Sequence, residues 1–162
     1  MAEITATALV EAGRLAVRQL LTHSPAFGGV ALWVGLDAAP GLTETAATDG
    51  RRILIGDGFA RLSARERQFV VAHEVLHVAL RHFQRGARLR LEGPWNPTLW
   101  NIACDAVINE SLSHAPYLAM PEFAVRLDSV LSKEELGLRA RSQWTSEMVY
   151  RLVATTRSAA QI

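Results

Sequence analysis

Residues 73–77 read His-Glu-Val-Leu-His, an H-E-x-x-H pattern that joins two imidazoles to a carboxylate. On a helix, at about 100° per residue, His77 lies only about 40° round from His73, so both rings can reach one metal ion. Imidazole nitrogens suit zinc, and Glu74 directly follows the first of them. Its carboxylate is placed to take a proton from a water held at the metal. The competing reading is a buried helix whose histidines only find hydrogen-bond partners.

Two histidines do not complete such a site, which normally has three protein ligands and one open position. His82 is close in sequence but sits about 180° round a continuous helix from His73. No glycine lies between His77 and His82 to break that helix, so His82 reads as a surface or second-side histidine. A better third ligand lies further on, where Asn101, Asp105 and Asn109 recur at every fourth residue. They form one stripe flanked by Ile102, Ile108 and Leu112, and polar groups within an apolar face need partners. Asp105 as metal ligand, with Asn101 and Asn109 holding the ligands in place, supplies those partners. The alternative is an amide and carboxylate network that ties helices together.

Other residues offer less. Glu110 lies about 140° from Asp105 and should face solvent. Cys104, beside Ala103, reads as packing. His114 could reach the site as a donor to the transition state, and Tyr117, Tyr150 and Arg126 are further donors with nothing to choose among them. Met120 reads as a core residue.

These side chains need elements to hold them. Ser63-Ala64-Arg65-Glu66 is a capping box, and it predicts a helix from about Ala64 to Arg85 that Gly86 stops. Phe69, Val70, Leu76 and Leu80 lie on its histidine side and Val71, Val75 and Val78 opposite. A helix apolar on both sides is buried, where unpaired imidazoles and a carboxylate would cost several kcal/mol. A second helix is expected over about Thr98 to Ser113 and a last one near Thr145 to Arg157. Upstream, Thr5 to Leu21 has helical periodicity, ended by Pro25 and Gly28-Gly29. Val30–Leu36 and Arg51–Ile55 read as strands, separated by a turn-rich loop.

The chain has 162 residues, enough for one domain with its own core, and its 49% apolar and 20% charged content argues against long disorder. One cysteine excludes an intrachain disulfide and an all-cysteine metal cage, and points to a reducing compartment. The first twenty residues carry Glu3, Glu11, Arg14 and Arg18, wrong for a signal peptide, and no segment reads as a membrane span. A cytoplasmic location is expected. Net charge is +1, yet residues 51 to 90 hold nine arginines against Asp57, Glu66 and Glu74. No nucleic-acid-binding motif accompanies them, so that charge alone does not predict nucleic-acid binding.

HEVLHVALRH followed by WNIACDAVINE resembles the metallopeptidase domain found at the N-terminus of bacterial proteins that end in a von Willebrand factor A-like domain. SEMVYRLV resembles, more loosely, that domain's closing helix. The resemblance implies a zincin-like fold, with His73, His77 and Asp105 binding Zn2+ and Glu74 as the catalytic carboxylate. It also implies a MoxR-type AAA ATPase as partner. Such proteins continue into the A-like domain where this sequence stops at Ile162, which leaves a piece of a longer chain and a free-standing version both open.

The expectation is therefore a single α+β, zincin-like domain over residues 1–162. Its H-E-x-x-H helix packs on a small sheet, and a second helix carries the third metal ligand. Arg51–Ile55 is the expected edge strand for aligning a peptide substrate. The activity expected is zinc-dependent peptide hydrolysis with Glu74 as general base. The rival is a zinc-stabilised interaction module that serves an ATPase without turnover. Glu74 argues against the rival, because a structural site fills all four positions and needs no base.

Overall fold

The computed structural model describes residues 5–159. Among the described residues it has eight α-helices and one three-stranded sheet, the expected α+β class. Helix α1 (Ala6–His23) begins where the Thr5 hydroxyl accepts the Ala8 N–H at 3.2 Å, and it buries Leu9, Ala16 and Leu20 along the predicted stripe.

Helix α1 ends at His23, just before Pro25 as expected, but helical structure resumes at once. Proline is the first residue of α2 (Pro25–Ala31), a position where its missing N–H costs nothing. Gly28 is a packing residue there, since a Cβ on it would lie 2.6 Å from the Leu21 Cα. Val30 and Ala31 are consequently helical, and the strand expected over Val30–Leu36 contracts and shifts to β1 (Gly35–Ala38). The turn-rich loop contains a further strand, β2 (Ala46–Thr48), that joins β3 (Arg52–Ile55) through the Asp49-Gly50-Arg51 turn. Gly50 takes φ +87°, and the Asp49 carboxylate accepts the N–H groups of Arg51 and Arg52 at 2.9 and 2.8 Å.

Strand order is β1-β3-β2, with β1 parallel and β2 antiparallel to β3. The expected edge strand is therefore the centre of the sheet, and β1 and β2 are its edges. Ile53 and Ile55 point into the core while Arg52 is exposed, so one face of the sheet is covered. Helices α1 and α3 pack against it.

Helix α3 (Ala64–Ala79) opens with the predicted capping box: the Ser63 N–H donates to Glu66 at 2.8 Å, and the Glu66 N–H donates to the Ser63 hydroxyl at 3.3 Å. It does not run on to Arg85. Arg81 adopts a left-handed conformation (φ 56°, ψ 41°) and a new helix, α4 (His82–Leu89), starts in a different direction. Gly86 lies inside α4, where a Cβ would come within 2.6 Å of Trp100 Nε1. Helix α5 (Pro97–Leu112) is capped by Asn96, whose Oδ1 accepts the Leu99 N–H at 3.0 Å. Short helices α6 (Leu127–Val130) and α7 (Lys133–Gly137) lead to α8 (Ser146–Ala159), which packs on α5.

Two apolar cores result. One joins α1, α2, the sheet and α3, and the other joins α4, α5 and α8. Helix α5 contributes Ile108 and Leu112 to the first and Leu99 to Ala106 to the second, so the α3–α5 contact is the seam. Several arginines of the basic run serve the fold. Arg65 donates to the carbonyls of Pro116, Tyr117 and Leu118, Arg67 to those of Phe59 and Ala60, and Arg85 pairs with Glu147 at 2.5 Å. No helix among the described residues is long and apolar enough to cross a membrane.

Candidate metal centre

At the seam, α3 and α5 bring His73, His77 and Asp105 together. His77 Nε2 lies 2.9 Å from His73 Nε2 and 3.0 Å from Asp105 Oδ1, and His73 Nε2 lies 3.4 Å from the same oxygen. One donor atom from each falls within 4.8 Å of the others, a grouping able to hold a metal ion. Two imidazole nitrogens and one carboxylate oxygen are a donor set that zinc is known to accept.

The outward faces of both rings fit this use. Asn109 Nδ2 donates to the Val125 carbonyl at 2.8 Å, which can only accept, so Asn109 Oδ1 is turned to His73 Nδ1 at 2.7 Å. His73 must then carry a proton on Nδ1, and Nε2 is the nitrogen that faces Asp105 and His77. Asn101 Nδ2 donates to Asp105 Oδ2 at 3.0 Å and leaves Oδ1 to the histidines. Residues 101, 105 and 109 thus work from one stripe, as their spacing requires. Partners of this kind orient metal ligands and fix their tautomers.

His82 is not a surface histidine. The left-handed Arg81 turns the chain so that His82 is only 2% exposed, with Nδ1 3.2 Å from His77 Nδ1. Its Nε2 contacts the Ser146 hydroxyl at 3.3 Å, and the Trp100 N–H donates to its carbonyl at 3.2 Å. His82 therefore backs His77 from the side opposite the donor cluster. With His77 Nε2 given to a metal, His77 Nδ1 is the donor and His82 Nδ1 the acceptor.

Charge follows the same geometry. Burial alone would raise the Asp105 carboxyl, but its hydrogen bonds and charge contacts with His73 and His77 outweigh that and pull it down to about 2. Burial pushes Glu74 up, with the Asp105 charge adding and the two imidazoles opposing. Burial, reinforced by His77 and Arg85, presses His82 down to about 3, which keeps it neutral and able to accept. For His73, burial favours the neutral ring, and the contacts with Asp105, Glu74 and Asn109 together raise it.

The cluster opens on a cavity of about 260 Å³. Thr45 to Thr48 form one wall, His73, Glu74, His77 and Asp105 lie along it, and Phe83 and Phe123 are partly exposed at its edge. Glu74 is 7% exposed, and among the described residues nothing hydrogen-bonds its carboxylate.

Other candidates lie elsewhere. His114 is exposed and sits 3.6 Å from Glu110, away from the cavity. Glu110 does not face solvent freely: its side chain is 14% exposed and pairs with Arg141 at 2.8 Å. Tyr117 stacks on His23, Tyr150 accepts the Asn96 N–H, and Arg126 is exposed at the start of α6. Cys104 is buried packing, its thiol pushed up to about 12 by burial, and Met120 packs against the sheet-side core. Sequence reasoning missed Ser146, Phe83, Phe123 and the β2 wall. The Asp49-Gly50 pair between two short runs was the hairpin signal that could have found β2.

The fold thus presents a largely buried two-histidine, one-carboxylate cluster that could hold a metal ion, with Glu74 beside it. The chain belongs to the family described as a "putative metallopeptidase domain", which matches residues 10–161. No curated protein and no solved structure matches the chain.

Proposed function

We propose that this domain is a zincin-like, zinc-dependent peptidase, with His73, His77 and Asp105 as the metal ligands and Glu74 as general base. The observation that carries the reading is an unbonded, buried Glu74 beside three converging donor atoms on the wall of an open cavity. Bound there, zinc would act as a Lewis acid that polarises a peptide carbonyl and acidifies a water.

The chain's own residues do the rest. Glu74, its pKa raised by burial, accepts a proton from the attacking water and later delivers it to the leaving amine. One water is consumed, the C–N bond breaks, and a carboxylic acid and an amine leave. Asn109 and His82 hold the two imidazoles, and Asn101 holds the Asp105 oxygen that faces away from them. Strand β2, paired only on its β3 side among the described residues, supports backbone pairing with an extended peptide along the cavity.

The test combines metal content and hydrolysis on protein purified without added zinc. About one zinc per chain is expected, from the one three-ligand cluster among the described residues. Glu74→Gln should keep the zinc and lower the hydrolytic rate by about a hundred- to ten-thousand-fold. Asp105→Ala should lower the zinc content sharply. Zinc bound with no turnover of any peptide would leave the non-catalytic module serving an ATPase. Full activity in Glu74→Gln would remove the role given to that carboxylate.

A further inference from the structure

A second cavity, of about 280 Å³, opens between α4 and the start of α5. Phe83, Trp95, Pro97 and Trp100 are its main apolar walls, His77, His82 and Asn101 also border it, and no acidic residue, lysine or arginine lines it. It adjoins the metal-centre cavity, with His77, Phe83 and Asn101 lining both. Gly86 lets Trp100 lie against α4, and the small side chains of Ala87 and Cys104 keep the space open. The Trp95 and Trp100 rings, both on its wall, meet at 6.1 Å with a 46° tilt.

We propose that this cavity receives a large apolar side chain of the peptide bound at the metal centre. The proposal rests on the peptidase reading for the peptide and on the residues shared by the two adjoining cavities for the route. An enclosed apolar cavity of about 150 Å³ suffices for benzene, so phenyl and isobutyl groups fit the space here. Aromatic walls recognise such groups by burial, and no oppositely charged residue lines the cavity to offset the desolvation of a charged one. Leucine, phenylalanine or methionine is therefore the expected residue at one fixed position relative to the cut, and aspartate, glutamate and lysine are excluded there.

The experiment has two readouts on the zinc-loaded chain and on Ala87→Phe, a filling change at an exposed helical position. The first is the cleavage profile of a peptide library. Wild type should show the apolar preference, and Ala87→Phe should reduce the ratio of large apolar to glycine at that position by about tenfold or more. The second is the NMR signal of the Trp95 and Trp100 indole N–H groups during titration with N-acetyl-leucinamide. Wild-type signals should shift, and those of Ala87→Phe should not. Cleavage without an apolar preference, or a preference unchanged by Ala87→Phe, overturns the proposal. So do indole signals that ignore the probe or that move only with protein concentration, the mark of a second copy in the cavity. If no peptide is cleaved while the probe still shifts wild type alone, the pocket stands and the peptidase reading falls.

Discussion

The two cores on either side of the α3–α5 seam are made of different material. The sheet-side core is largely aliphatic, with Leu9, Leu20, Ile53, Ile55, Val71 and Val75 around Phe59 and Phe69. The α8-side core is aromatic and threaded with polar bonds: Trp100, Trp144 and Tyr150 pack there, and Trp100 also holds the His82 carbonyl. Helix α8 enters it with Ser146 on His82 and Glu147 on Arg85. Apolar packing is nondirectional, so the first core determines where α3 lies and little else. Hydrogen bonds are directional, and the second core determines which way the His77 ring faces. One side of the molecule carries the metal helix while the other aims its ligand.

The largest effect that bears on this division is expected from Phe59→Ala. Phe59 is fully buried in the sheet-side core and lines no part of the metal cavity. Its removal should cost about 3–5 kcal/mol in denaturant unfolding, from lost burial and the void left behind. Zinc affinity of the folded protein should stay at the wild-type value. A matching loss of zinc affinity would merge the two cores into one unit and end the distinction.

Gly86→Ala attacks the other side. The new Cβ would meet Trp100 Nε1 at 2.6 Å and Trp95 at 3.1 Å, and Trp100 is buried with its N–H already engaged. About 1–3 kcal/mol of destabilisation is expected, less than for Phe59→Ala. Here zinc affinity should fall as well, by about tenfold, because the shift passes through Trp100 to His82 and so to His77. Competition with a coloured chelator reads that affinity. Unfolding with unchanged zinc affinity would show that His82 does not hold His77 through this contact.

The same division explains which features could be read from residue order. Periodicity located α1, α3, α5 and α8, and the stripe of Asn101, Asp105 and Asn109 is a local property of one helix, so its polar face was legible before any fold was known. The HEVLH spacing was equally local. What failed was conformation decided by distant contacts. Gly28 looks like a helix breaker, yet it sits within α2 because Leu21 packs on it. The Ala46–Thr48 strand carries too little apolar character to stand out, and it exists because Ile53 and Ile55 offer it a partner. That missing strand is also why Arg51–Ile55 was assigned to the edge. Arg81 was the costliest miss: arginine rarely takes a left-handed conformation, so nothing in VALRH marks the break that returns His82 to the site.

Arg81 gives the smallest and most discriminating test. It follows the last turn of α3, its N–H bonded to the Val78 carbonyl at 3.0 Å, at a position where glycine is the usual residue. A side chain in this conformation costs about 1–2 kcal/mol, while glycine adds freedom to the unfolded chain and gives part of that back. Arg81→Gly should therefore stabilise the protein by about 0.5–1 kcal/mol, with zinc affinity unchanged. Thermal unfolding and chelator competition measure both. Arg81→Val should do the opposite on each count, since a branched side chain resists this backbone and favours a helix that runs straight on. A straight helix would carry His82 about 180° round from His73 and strip His77 of its support. If Arg81→Val instead binds zinc as tightly as wild type, the break at Arg81 serves only to turn the chain, and the aiming of His77 belongs to α3 alone.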